Sequence, residues 1–314
     1  GATDNPVVAN CVSFLRTSQR SDGAWPIDED LSSWVTSLSA SVLAEALPDE
    51  DRATLADAIL ARQCREVHPF TQAKGGGWSW TDRPGGVPDG DDTAAALLAL
   101  DALGAEDVPA ATAGVKWLLG VQNSDGGFPT FCKGWGLLPF DQSCCDITAH
   151  ALAAMGAWRT KIARGSLRRR MGKSIQRGLK FLRAQQDSDG RWLPLWFGNE
   201  QARGHANGVY GTSRVVGLLA GKGGDAADLI ERGRGYLLVQ QNTDGGWGGE
   251  LGCDSSIEET ALACWALRES GGDADAIARG IAWLQTATED GTRWDATPIG
   301  LYFASLWYWE ELYP

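Results

Sequence analysis

The chain has 314 residues, 43% of them hydrophobic, with 40 Gly, 15 Trp and only 2 Met, enough to bury a large core in one closed architecture. Its formal net charge of -12 argues against a nucleic-acid partner, which needs a basic stripe, and no apolar run reaches the ~18 residues that cross a bilayer. Seven Cys without a CxxC pair point to neither a disulfide framework nor a zinc ribbon, so reduced thiols and a cytoplasmic location are expected.

An internal repeat organises the rest. Its parts are an aromatic followed by Leu, Gln five residues after the aromatic, Gly at nine and an aromatic at eleven. The first copy, Phe14-Leu15, Gln19, Gly23 and Trp25, predicts a helix stopped by a Gly turn. A second helix follows around Trp34-Val35-Thr36. A looser copy, Ile59-Leu60, Gln63 and Gly76-Gly77-Trp78, precedes Asp91-Asp92-Thr93 and an apolar helix. Trp117-Leu118, Gln122, Gly126 and Phe128 lead to Asp146-Ile147-Thr148. Residues 159–177 then carry eight Arg and Lys and no acid. Phe181-Leu182, Gln186, Gly190 and Trp192 lead to Tyr210-Gly211-Thr212, and Tyr236-Leu237, Gln241, Gly245 and Trp247 to Glu258-Glu259-Thr260. The last copy, Trp283-Leu284 and Trp294, has Thr288 for Gln and Thr292 for Gly.

Several of the Thr-led helices are apolar nearly all round, and such helices are buried. The charged first helices face solvent. Six hairpins therefore predict an all-α (α/α)6 toroid, read as one domain over residues 1–314. Equivalent positions of a closed repeat lie on one ring. Two residues before each Thr stand Trp34, Asp91, Asp146, Tyr210 and Glu258; two after stand Leu38, Ala95, His150, Arg214 and Leu262. Asp91, Asp146 and His150 are thus expected to converge at the central cavity, and Asp146 and His150 share a helix face.

These residues resemble the squalene-hopene and oxidosqualene cyclases. The Gln/Trp repeats are similar to that family's QW motifs, and Pro88-Asp89-Gly90-Asp91-Asp92-Thr93-Ala94 to its DxDDTA acid motif. Asp146-Ile147-Thr148-Ala149-His150 resembles a D-V-T-x-H stretch, and Tyr210-Gly211-Thr212 a Y-G-T. The resemblance implies a terpenoid-cyclase or prenyltransferase-like barrel with class II chemistry. Asp91 would protonate a terminal alkene, supported by Asp89 and Asp92 and hydrogen-bonded by His150. The substrate would be a linear isoprenoid, squalene-like or a prenyl diphosphate. Only the catalytic barrel is covered, so a second helical barrel, in this or another chain, is an expected partner.

The chemistry fits the residue types. An alkene is a very weak base, and its protonation needs a strong acid in a dry site. Burial and neighbouring carboxylates keep a carboxylic acid protonated, while a cationic donor stabilises the base left behind. The alternative reading of the acidic trio is a helix N-cap cluster. Carbocations call for aromatic walls without nucleophiles; Trp34, Trp78, Trp80, Tyr210, Tyr302 and Trp309 are candidates, the last two in a C-terminal stretch that resembles the family's aromatic-rich last helix. Asp146 and Glu258 complete the expected pocket. No cofactor or metal is expected; magnesium enters only with a diphosphate substrate, and the run 159–177 is either a solvated face or a peripheral membrane contact.

Three other readings stay open. A protein prenyltransferase β-like subunit would need a zinc site, for which Cys253 and Asp254 are the nearest residues; Cys144-Cys145 with Asp146 and His150 is a further zinc reading. An (α/α)6 glycosidase would pair Glu258 or Glu259 with Asp91. The third is a silent half that works only with another chain.

Overall fold

The structure, a computed structural model, describes residues 5–19, 21, 23, 25, 30–69, 71–83, 86–130, 141–162, 165–220 and 224–295, and the backbone of 299–303 and 306–310. The fold is an all-α toroid. Outer helices α1 (Pro6–Ser18), α3 (Asp49–Ala61), α5 (Val108–Val121), α7 (Ser166–Gln185), α9 (Ala227–Val239) and α11 (Ala274–Ala287) alternate with inner helices α2 (Ser32–Leu43), α4 (Gly90–Ala102), α6 (Cys145–Trp158), α8 (Gly208–Leu219) and α10 (Ile257–Glu269). Successive inner helices pack side by side, with α3, α5, α7, α9 and α11 behind them. Short pairs of residues, β1 (Phe128–Pro129) with β2 (Ser143–Cys144), and β3 (Phe197–Gly198), edge the loops.

The inner helices α4, α6 and α8 are buried because their sequences offer no continuous polar face. In α6, twelve side chains from Cys145 to Trp158 are buried. Outer helices are two-sided: α7 buries Met171, Leu179, Phe181 and Leu182 and turns its arginines outward. By contrast α1 has no buried side chain, and Val7, Phe14 and Leu15 are more than half exposed.

The repeat residues form one hydrogen-bonded clasp, used again and again. In four copies the Gln follows the end of an outer helix and donates through Nε2 to the carbonyl of its own turn Gly and to a carbonyl of the next outer helix. Gln63 reaches Gly76 O and Ala110 O, Gln122 reaches Gly126 O and Ser174 O, Gln186 reaches Gly190 O and Leu229 O, and Gln241 reaches Gly245 O and Ala276 O, all at 2.8–3.0 Å. The turn Gly is required, because Gly76, Gly126, Gly190 and Gly245 hold φ between 95° and 120°. The second aromatic plugs the hairpin, with Trp192 Nε1 donating to Leu182 O and Trp247 Nε1 to Leu237 O. The Thr that recurs near the start of α4, α6, α8 and α10 has a matching task. Thr93, Thr148, Thr212 and Thr260 accept from the backbone N–H of Trp78, Phe128, Trp192 and Trp247 at 2.9–3.0 Å. A loop N–H that would otherwise be orphaned in the core is thereby satisfied.

Two expectations change. In the looser second copy Trp78 Nε1 donates to Ile59 O, so Ile59 holds the Leu position of the repeat and Ala58 the aromatic one. The C-terminal stretch is not a last helix. It is a hairpin of β4 (Ile299–Phe303) and β5 (Leu306–Glu310), with Tyr302 opposite Trp307 and Gly300 opposite Trp309, and β4 pairs with β3. Runs of aromatic and branched residues fit a pleated strand better than a helix. The described residues accordingly hold six outer helices but five inner ones.

Candidate functional site

The ring equivalence places the site. One apolar cavity of about 280 Å³ is lined by Trp34 and Leu38 from α2, Asp91 from α4, Tyr210 and Arg214 from α8, and Ile257, Glu258, Ala261 and Leu262 from α10, closed on one side by Trp294 and Asp295. Four of the five residues that stand two before the repeat Thr therefore share one wall. The fifth, Asp146, lies behind it, buried, accepting from Cys144 Sγ at 2.6 Å.

Asp91 is the carboxyl that faces the cavity and is also gripped from behind. His150 Nδ1 donates to Asp91 Oδ1 at 2.6 Å, and the imidazole is almost fully buried. Arg214 Nη2 stands 3.9 Å from the same oxygen and 3.4 Å from His150 Nδ1. Burial alone would raise the Asp91 carboxyl. The hydrogen bond and charge of His150, the charge of Arg214 and the Trp34 indole N–H outweigh it, and the group sits below the usual carboxylate range. The anion left after proton release is thus already solvated by fixed donors.

The other two members of the trio do something else. Asp89 is the N-cap of α4, its side chain accepting from Asp92 N at 2.8 Å. Both Asp89 and Asp92 are buried, and burial drives both well above the ordinary range. Each is thereby biased towards its neutral, protonated form next to Asp91. The capping reading and the site reading of this trio hold together, on different residues.

Glu258 and Glu259 also divide. Glu259 is buried and accepts from Asn199 Nδ2 at 3.1 Å, Asn207 Nδ2 at 2.9 Å and Ser256 Oγ, which ties three loops together. Glu258 faces the cavity, and burial first, then Glu259, pushes its carboxyl up to about 8. The glycosidase pairing therefore loses Glu259 to the scaffold.

Among the expected aromatics, Trp34 and Tyr210 line the cavity, and Tyr210 leans on Phe197 with ring centres 4.7 Å apart. Trp78 does not; it is the buried plug of its repeat. Trp80 is half-buried and not among the cavity-lining residues, but its carbonyl accepts from Ser33 N and Trp34 N and so satisfies first-turn donors of α2. The side chains of Tyr302 and Trp309 lie outside the described residues. Arg214 is the wall residue that the sequence reading left out of the site, although it occupies the same repeat slot as His150. Trp294 is the reverse case: a repeat aromatic that, without its Gln, joins the cavity wall.

The zinc readings find no geometry. Cys144 is occupied by Asp146 and by Leu195 N at 3.1 Å, Asp254 pairs with Gln201, and no three His, Cys, Asp or Glu groups cluster among the described residues. Among them, too, no helix is long and apolar enough to cross a membrane.

An inner ring of helices around an apolar cavity, with one carboxyl held by a histidine and an arginine, defines an acid-bearing α-toroid. Residues 31–310 match the model of the squalene-hopene cyclase C-terminal domain, and the chain belongs to that family. It is similar to the squalene–hopene cyclase of Bradyrhizobium diazoefficiens, 28% identical over 83% of this chain and 43% of that protein. It is also similar to drimenyl diphosphate synthase of Streptantibioticus cattleyicolor, 31% identical over 75% of this chain and 40% of that protein. The fold matches ent-copalyl diphosphate synthase from Streptomyces platensis, with a TM-score of 0.66 and 24% identity over 96% of this chain and 51% of that one. It also matches type II terpene cyclase MstE from Scytonema, with a TM-score of 0.63 and 21% identity over 92% and 81%. The chain spans under half the length of the curated relatives it matches, from 19% to 43%.

Proposed function

We propose that this barrel is the acid-bearing domain of a class II terpene cyclase. The observation that carries the reading is the Asp91 carboxyl, exposed to an apolar cavity and backed by His150. In the reaction the Asp91 O–H proton is transferred to the less substituted CH carbon of the terminal trisubstituted alkene. The π pair becomes the new C–H bond, the O–H pair stays on the carboxylate, and the tertiary carbocation is attacked by the next alkene. Loss of a proton, or capture of water, ends the cascade. Trp34 and Tyr210 offer their faces to the moving charge. An oily substrate that fills the cavity excludes water, and desolvation acts towards protonated Asp91 before transfer.

The substrate is a linear isoprenoid. Support comes from the related squalene–hopene cyclases and drimenyl diphosphate synthase, and from the MstE fold, whose structure holds geranylgeranyl dihydroxybenzoate as substrate. The chain's own groups perform the proton transfer; magnesium would accompany only a diphosphate-bearing substrate. A second helical barrel and a membrane surface met by Arg168, Arg169 and Arg170 complete the proposed setting.

Incubation with squalene and with C15 and C20 prenyl diphosphates, followed by mass spectrometry of the products, tests the reading. Asp91→Asn abolishes cyclisation and leaves the fold intact. His150→Ala slows it, since a charge-assisted bond of about 1.5–3 kcal/mol corresponds to roughly 10- to 150-fold in rate. Asp92→Asn is milder. Full product formation by Asp91→Asn, with loss in Glu258→Gln or Cys253→Ser, would replace the proton-donor assignment by a hydrolase or zinc chemistry.

A further inference from the structure

The geometry points to Arg214 as a positioning residue that acts through Asp91: its guanidinium is the permanent positive charge against which Asp91 gives up its proton. The inference rests on the cyclase reading above.

Three features single Arg214 out. It stands on α8 in the repeat slot that α2 and α10 fill with Leu38 and Leu262, so an apolar side chain would satisfy the architecture there. It is only 14% exposed, with Nη2 3.9 Å from Asp91 Oδ1. It also lines the cavity itself. A guanidinium in the wall of a carbocation cavity would repel the product of the first step unless its charge were matched. Asp91 matches it. Before transfer, neutral Asp91 and Arg214 together carry one positive charge. After transfer the carboxylate and Arg214 carry none, and the positive charge lies on the substrate. The wall therefore becomes neutral at the moment the cation forms.

His150 serves the same carboxylate differently. Its Nδ1–H supplies the short directional bond, whereas Arg214 adds charge from a greater distance. A guanidinium stays charged across the working pH range, which a histidine does not. The remaining groups that face Asp91 are Trp34 from α2, Asp89 and Asp92 from α4 and Asp146 from α6, with Glu258 of α10 on the same wall. Asp89 with Asp92, Asp146 and Glu258 are shifted towards their protonated forms. Asp295, on the same cavity lining, is ion-paired with Arg293 at 2.9 Å, and Asp91 is the carboxylate 3.9 Å from Arg214.

The test is a carbon-13 NMR titration of the aspartate carboxyls in the full chain, with Asp91→Asn assigning the Asp91 signal. In Arg214→Gln the Asp91 midpoint rises by about one pH unit, the low end of the effect of a nearby opposite charge. In Arg214→Lys it stays near the wild-type value. If Arg214→Gln does not keep the wild-type circular dichroism, Arg214→Met makes the same comparison. With whichever of squalene and the C15 and C20 prenyl diphosphates is turned over, Arg214→Gln lowers kcat by about tenfold with KM unchanged, as expected for loss at the transition state alone. An unmoved Asp91 midpoint in the neutral variants, or an equal rise in Arg214→Lys, overturns the role given to Arg214. Product formation by Asp91→Asn overturns the cyclase reading instead, and leaves the titration result standing.

Discussion

Replacement of Gln122 by Met keeps the length of the side chain and removes every polar atom. In the structure Gln122 Nε2 donates to Gly126 O at 2.8 Å and Ser174 O at 3.0 Å, while Oε1 accepts from Ser174 Oγ at 2.8 Å and Arg177 Nη1 at 3.2 Å. Arg177 reaches solvent and can turn to water. The two carbonyls and the Ser174 hydroxyl are buried with the side chain, and each loses about 1 kcal/mol when left unpaired. The expected cost is about 3 kcal/mol, a large share of the roughly 5–15 kcal/mol that holds a domain together. Gln19 occupies the same repeat position but is exposed, and among the described residues it makes one such bond, to Gly23 O at 2.8 Å. Water replaces that bond, and Gln19→Met costs under about 0.5 kcal/mol. Urea unfolding followed by Trp fluorescence separates the two, with a midpoint about 1 M lower for Gln122→Met and hardly moved for Gln19→Met. Equal shifts for the two variants would refute the clasp as the source of stability and leave side-chain packing as the explanation.

Other expectations follow from the same geometry. Thr148→Val leaves the Phe128 N–H without its acceptor and lowers the urea midpoint by an amount worth about 1–2 kcal/mol, while Thr148→Ser is milder. Glu258 titrates at about 8 when folded against an ordinary 4.5, so the folded state holds a proton that the unfolded chain releases between these values. Stability therefore falls as pH rises through that window. Glu258→Gln removes the penalty, and is about 1–2 kcal/mol more stable than wild type at pH 9 but equal to it near pH 4.5; thermal unfolding at the two pH values reads this directly. Arg168, Arg169 and Arg170 have no ion-pair partner among the described residues, and a triple Gln variant should pellet less with anionic liposomes at low salt. Equal pelleting removes membrane docking through this face.

Much of the site was legible because the repeat converts spacing into position. Asp91, Tyr210 and Glu258 share a wall for the reason that Trp34 does: each stands two residues before a Thr whose hydroxyl fixes the start of its helix, or in an equivalent first turn. What escaped the sequence were matters of partnership. Nothing in the letters says that Asp89 turns back to cap α4 while Asp91 faces the cavity, because that depends on how each carboxyl is turned. Trp78 fits both the repeat and the pocket by its spacing, and the indole bond to Ile59 O decides for the repeat. Arg214 was visible in its slot but unread, since an isolated arginine carries no signal until Asp91 is beside it. The basic run 159–177 shrank as well. Lys161 pairs with Asp101 at 2.7 Å, and Arg177 is bound to the Gln122 turn, so less of the run is spare charge than its composition implied.

The Thr clasp has a consequence for how such a barrel can be altered. Anchoring is done by one residue, and the neighbour two positions earlier is left to vary: Asp91, Asp146, Tyr210 and Glu258 are four side chains mounted on the same fitting. A mutational library confined to Trp34, Tyr210, Glu258, Leu38 and Leu262, with Asp91 and Arg214 kept for the chemistry, would reshape the reaction chamber panel by panel while every hairpin kept its own fastening. The chain is in this sense a frame with interchangeable inserts, and the directed evolution of new product outlines should begin at those inserts and leave each Gln, Gly, Trp and Thr of the repeat untouched.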